Sequence, residues 1–146
     1  MDKKVNNLTY KSITVKKLKE IDLSTIKTKY NFLKINVLIV NLWSELLWIL
    51  NNVFLSNIRV VTLELACFTY KRYLKTKNRC LLYNFLKLCC VGHLIIKNYV
   101  PLSALTYFSA YFSDLNLYIN LTGNHAEVSY NQAVTLKLGK NLRVKI

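Results

Sequence analysis

Residues 80–98 read CLLYNFLKLCCVGHLIIKN, and the way this stretch is taken decides the fold. Leu81, Leu82, Phe85, Leu86, Leu88, Cys89, Cys90, Val91, Leu94, Ile95 and Ile96 leave almost no polar side. Taken as one helix from Cys80 to Asn98, the stretch is apolar all round, and such a helix has to be enclosed by others. The reading is therefore a central buried helix with neighbours packed about it, not one member of a flat four-helix bundle with a wet side.

Working outward, periodicity predicts four more helices around this one: about Asn31 to Asn51, Arg59 to Lys75, Pro101 to Ser113 and Ala126 to Leu138. Pro101 suits a first helical turn, where its missing donor is not needed. Gly139 suits a left-handed C-cap. Between the last two helices, the connector Asp114 to Asn124 carries Leu115, Leu117, Tyr118, Ile119 and Leu121, whose partial alternation fits a short strand as an alternative. Residues 1–29 read as a basic extension, with Val15, Leu18, Ile21 and Ile26 marking one weak amphipathic helix on the outside. The core domain spans 30–146, and the fold class expected is all-α.

Composition is consistent with a single domain. The chain has 146 residues, 53% of them apolar, enough to build a core and to exclude wholesale disorder. Three glycines and one proline argue against a turn-rich sandwich or barrel, and they exclude a glycine-rich phosphate loop. The apolar runs Ile35 to Leu50 and Leu88 to Ile96 are interrupted or short of the roughly 20 residues a membrane span needs. Lys3 and Lys4 lead into a polar stretch, so no signal peptide is expected.

Lysine and arginine number 21 against 7 acids, a formal charge of +14. That field favours acidic partners: nucleic acid, anionic membrane, or acidic or phosphorylated protein segments. It is densest at Lys71, Arg72, Lys75, Lys77 and Arg79, where no acid intervenes, and this cluster is the candidate phosphate or anion patch. Cys67, Cys80, Cys89 and Cys90 form no C-x-x-C pair, and with His93 and His125 they give no metal-ligand spacing. They read as small hydrophobes of a reducing, nuclear or cytoplasmic compartment. No serine or cysteine has a convincing base and orienter, so neither an enzyme nor a cofactor is expected.

Several segments also resemble a family. Ile35-Asn36-Val37-Leu38-Ile39-Val40-Asn41-Leu42-Trp43-Ser44-Glu45 is similar to M-R-A-I-L-V-D-W-L-x-E, the first-helix motif of the cyclin box. Thr62-Leu63-Glu64-Leu65-Ala66-Cys67-Phe68-Thr69-Tyr70-Lys71-Arg72-Tyr73-Leu74 resembles its second-helix motif, and Leu86 to Lys97 its central helix, at the usual spacing from Arg72 to Lys97. Leu138-Gly139-Lys140-Asn141-Leu142 is similar to the closing motif. The resemblance implies a five-helix cyclin box and a non-catalytic subunit that binds and activates a cyclin-dependent kinase, acting on its lysine–glutamate ion pair.

By the same resemblance, Lys97 is the kinase-contacting lysine, while Asn131 or Gln132 takes the place of a glutamate, with Glu127 as a substitute one turn earlier. Ile35, Leu38, Ile39, Leu42, Glu45 and Phe85 take the positions of a substrate-docking groove. The internal ion pair of better-preserved members is lost as a unit at Asn36 and Lys71, which strands no buried charge. The alternative, from a different class, is a small basic helical protein that binds nucleic acid.

Overall fold

A computed structural model of the chain describes residues 7–52, 57–101, 103–121 and 135–146. It overturns the all-α expectation. The stretch that decided the sequence reading is not one helix but a helix, a turn and a strand. Helix α5 (Thr76–Leu88) ends in a paired cap, in which Val91 N–H donates to the Leu86 carbonyl at 3.0 Å and Cys90 N–H to the Lys87 carbonyl at 3.4 Å. Cys90 takes the left-handed conformation between them, with φ 54°, and this bond pair is the Schellman ending of a helix. The position usually falls to glycine, and here a cysteine fills it, so the stop is invisible in the sequence. Beyond it, His93–Ile95 forms strand β4.

The other segments divide in the same way. The expected first helix is strand β2 (Leu33–Val40) followed by helix α3 (Trp43–Asn52), and the expected second is strand β3 (Ile58–Leu65) followed by the short helix α4 (Tyr70–Tyr73). Their first halves, Leu-Lys-Ile-Asn-Val-Leu-Ile-Val and Ile-Arg-Val-Val-Thr-Leu-Glu-Leu, are β-branched runs that pack well on a pleated surface. Upstream lie β1 (Leu8–Thr14), α1 (Val15–Leu18) and α2 (Leu23–Lys29). Val15 and Leu18 are fully buried in the common core rather than lying on its outside. Helix α6 (Ala104–Phe112) forms where the sequence places a helix, and the connector's strand alternative is realised as β5 (Leu117–Asn120). The expected helix from Ala126 lies mostly outside the described residues, and its last part is strand β6 (Thr135–Lys137), followed by β7 (Leu142–Lys145).

The seven strands form one sheet in the order β1-β2-β3-β4-β5-β7-β6. Every neighbouring pair is parallel except β6 with β7. From β1 to β5 each strand lies beside its predecessor in the chain, with helix between them. Right-handed crossovers in one direction set all those helices on one side of the sheet. From β1 to β5 the order never reverses, so that part of the sheet has no switch point of the kind where doubly wound sheets open a ligand crevice.

The register is a repeat. Leu8, Leu33 and Ile58 stand opposite one another, 25 residues apart at each step. His93 comes 31 residues after its neighbour Thr62, and the 25-residue step resumes through Tyr118 and Arg143. One column across the sheet is Ile13, Leu38, Leu63, Leu94, Ile119 and Val144, and all six are buried under the helices. A second buried column is Val15, Val40, Leu65, Ile96, Leu121 and Ile146. The spacing apolar-x-x-apolar-x-apolar recurs at Ile35-Leu38-Val40, Val60-Leu63-Leu65 and Val91-Leu94-Ile96.

Between sheet and helices, Phe68, Tyr73, Phe108 and Phe112 form an aromatic cluster with ring centroids 5.2 to 6.3 Å apart, and Trp43 extends it. Polar side chains hold the turns that follow the strands. The Glu45 carboxylate, only 6% exposed, accepts from the Asn41 and Leu42 N–H groups at 2.7 and 3.0 Å and so secures the start of α3. Asn98 Nδ2 donates to the Ala66 and Phe68 carbonyls at 2.9 and 2.7 Å, tying the turn after β4 to the turn after β3.

Candidate binding face

Residues on either side of the buried column point to the other face of the sheet, because side chains alternate along a strand. In register across that face run Ser12, Val37, Thr62, His93, Tyr118 and Arg143, and beside them Thr14, Ile39, Glu64, Ile95, Asn120 and Lys145. All but Thr62 are half-buried or exposed. Among the described residues no helix belongs to this side, so the face is open.

Its middle mixes apolar and polar side chains. Val37 and Ile39 of β2 stand in register with Thr62 and Glu64 of β3 and, beyond these, with His93 and Ile95 of β4, and Val61 is 45% exposed. Beside them the His93 and Tyr118 rings meet edge to face with centroids 5.3 Å apart. His93 Nε2 is buried and has no hydrogen-bond partner among the described residues. Burial holds the imidazole below its usual range, so at neutral pH the ring is uncharged and the charge of the face comes from lysine and arginine.

Cations frame this centre. Lys34 stands directly opposite Arg59, and Lys137 directly opposite Arg143. Like charges facing across a ladder oppose pairing. The acid on these rows is Glu64, which takes Lys97 Nζ at 2.6 Å. Lys97 is 70% exposed, so that ion pair is worth at most about 1 kcal/mol and leaves the lysine near solvent.

The residues singled out from the sequence fall in several places. Lys97 lies on the open face just after β4, not at the end of a buried helix. Asn131, Gln132 and Glu127 lie outside the described residues. The six groove positions share no surface: Ile35, Leu38 and Phe85 are in the core, Ile39 is on the open face, Leu42 is 55% exposed in a turn, and Glu45 is the buried cap of α3. Lys71, Arg72, Lys75, Lys77 and Arg79 remain together around α4 and the start of α5, on the helical side. Sequence reasoning missed Val37, Val61, Ile95 and Tyr118; the signal available was the 25-residue recurrence of apolar pairs, which marks a repeat architecture.

Among the described residues there is no group of three histidine, cysteine or acidic side chains able to hold a metal, and no helix long and apolar enough to cross a membrane. All four cysteines are free. Burial pushes the Cys67 thiol up to about 11 and Cys89 up to about 12, which keeps both protonated and unreactive. A thiol-alkylating reagent at neutral pH is expected to modify Cys80 and Cys90 in the native protein, and Cys67 and Cys89 only after unfolding. Mass spectrometry over a time course checks this, and uniform labelling of all four would contradict their placement.

No known family model matches the chain, nor does any curated protein or solved structure.

Proposed function

We propose that the protein is a non-catalytic binding module, a one-directional β/α solenoid of the leucine-rich-repeat type, that takes an acidic protein surface against the sheet face on which none of the described helices lies. The repeat spacing and the stacked, parallel strands support the solenoid reading. The observation that carries the partner is the face itself. Apolar and aromatic side chains interspersed with polar and charged groups match the mixed composition of a protein–protein interface. The like-charged cross-strand pair Lys137 with Arg143 gains a counter-charge when carboxylates dock there. The free thiols support a reducing, intracellular setting. The cyclin-box resemblance rested on helices at Ile35–Glu45 and Thr62–Leu74 that the chain does not form, so a kinase contact is not carried forward.

The test is affinity capture with the wild-type protein, a Val37→Glu/Val61→Glu variant and a Leu42→Glu variant. Val61 is exposed and Val37 half-buried, and neither belongs to the core, so the double change leaves the core intact. Partners are expected to drop at least tenfold for the sheet-face variant, about 1.4 kcal/mol, and to be retained by Leu42→Glu. Equal recovery by all three proteins would remove the sheet face from the interface.

A further inference from the structure

The helical side carries a second surface of different chemistry. Tyr107 and Tyr111, one turn apart on α6, are 36% and 43% exposed, with parallel rings 6.4 Å apart. Tyr70 of α4 meets Tyr107 edge-on at 6.1 Å. From α5, the Arg79 guanidinium lies over the Tyr111 ring at 4.5 Å. Its Nη2 donates to Thr76 Oγ1 at 3.2 Å, while its Nε is buried with no hydrogen-bond partner among the described residues. Beside this pair a cavity of about 420 Å³ opens between α5 and α6, and Tyr83, Asn84 and Asp114 complete its wall. Asp114 accepts from the Tyr83 hydroxyl. Lys71 and Arg72 flank Tyr70 on α4, Lys75 and Lys77 begin α5, and all four are exposed. Lys75 and Lys77 line a second recess, against Trp43, Ser44 and Leu47 of α3.

We infer that this tyrosine–cation surface binds single-stranded nucleic acid. Its composition separates it from the sheet face: rings and cations, with no exposed aliphatic centre among the described residues for a protein partner to bury. Single strands offer what the surface lacks, namely planar bases that stack on aromatic side chains whatever their identity, and a phosphate for each cation. Arg79 and Tyr111 already form the stacked cation–ring unit such surfaces use. The cavity beside Tyr111 has room for one unstacked base, with the Asn84 amide and Asp114 carboxylate as hydrogen-bonding groups on its wall. A duplex keeps its bases stacked inside and gives the tyrosines nothing to engage.

Fluorescence anisotropy with labelled (dT)20 and U20 tests this, with a 20-base-pair DNA duplex, inorganic polyphosphate and poly-glutamate as comparison probes. Wild-type protein is expected to bind the single strands at least tenfold more tightly than the duplex, with affinity falling steeply as salt rises. Tyr107→Ala/Tyr111→Ala is expected to weaken single-strand binding tenfold or more and to leave polyphosphate binding unchanged. Tyr107→Phe/Tyr111→Phe keeps the rings and restores it. Lys75→Glu/Lys77→Glu weakens both probes, whereas the Val37→Glu/Val61→Glu variant of the sheet face changes neither. Thermal melts confirm that each variant is folded. Single-strand binding that survives removal of both tyrosines overturns the inference, and so does equal affinity for duplex, or equal affinity of the Val37→Glu/Val61→Glu variant for poly-glutamate, which would make the surface a general polyanion or acidic-protein site.

Discussion

Leu94→Ala is expected to lower the unfolding free energy by about 2–5 kcal/mol, the range for deleting a fully buried leucine side chain, while Ile95→Thr changes it by no more than about 1 kcal/mol. The two residues are neighbours in an unbroken apolar run. In β4, however, Leu94 is 0% exposed in the central buried column, and Ile95 looks out of the open face. Threonine keeps the β-branch that suits a strand, so the ladder to β3 and β5 is undisturbed. An all-round buried helix would make the two positions comparably sensitive. Urea unfolding read as a shift in midpoint at constant slope checks the contrast, and similar losses for both variants would exclude a strand with one open face.

Glu45→Ala is expected to cost about 2 kcal/mol, because two backbone donors at the entry to α3 lose a charged, largely buried acceptor. Glu45→Gln keeps one side-chain oxygen in place and is expected to cost about half as much. A glutamate on a solvent-facing docking groove would tolerate either change within a few tenths of a kcal/mol. Thermal or urea unfolding of the two variants separates these roles, and an unchanged midpoint for Glu45→Ala would show that the carboxylate does not hold this turn.

The parts of the fold legible in the sequence share one property: their periodicity admits a single reading. Ala104–Phe112 buries Ala104, Phe108 and Phe112, spaced one turn apart, and it forms the expected helix. Leu117, Ile119 and Leu121 alternate, and they form a strand with Tyr118 and Asn120 turned outward. Where apolar residues crowd together with few polar breaks, as from Val91 to Ile96 or Ile35 to Val40, a buried parallel strand and a buried helix look the same. The cyclin-like spacing from Arg72 to Lys97 is present in the residues, yet it joins the end of α4 to the far side of β4 and not two helices. The candidate site was less legible still. Val37, Thr62, His93 and Tyr118 lie far apart in the chain, and only strand register makes them one row.

By itself the sequence determined that the chain has enough apolar residues for a core, no phosphate-cradling glycine loop, an excess of cations and a helix after Pro101. The tertiary structure decided which apolar runs became strands, because a strand's backbone groups are satisfied only by other strands, and those partners lie 25 or more residues away. It also decided which face carries the chemistry. Once β1 to β5 stack in order, all the intervening helices fall on one side, and the alternate residues of every strand are left facing outward together.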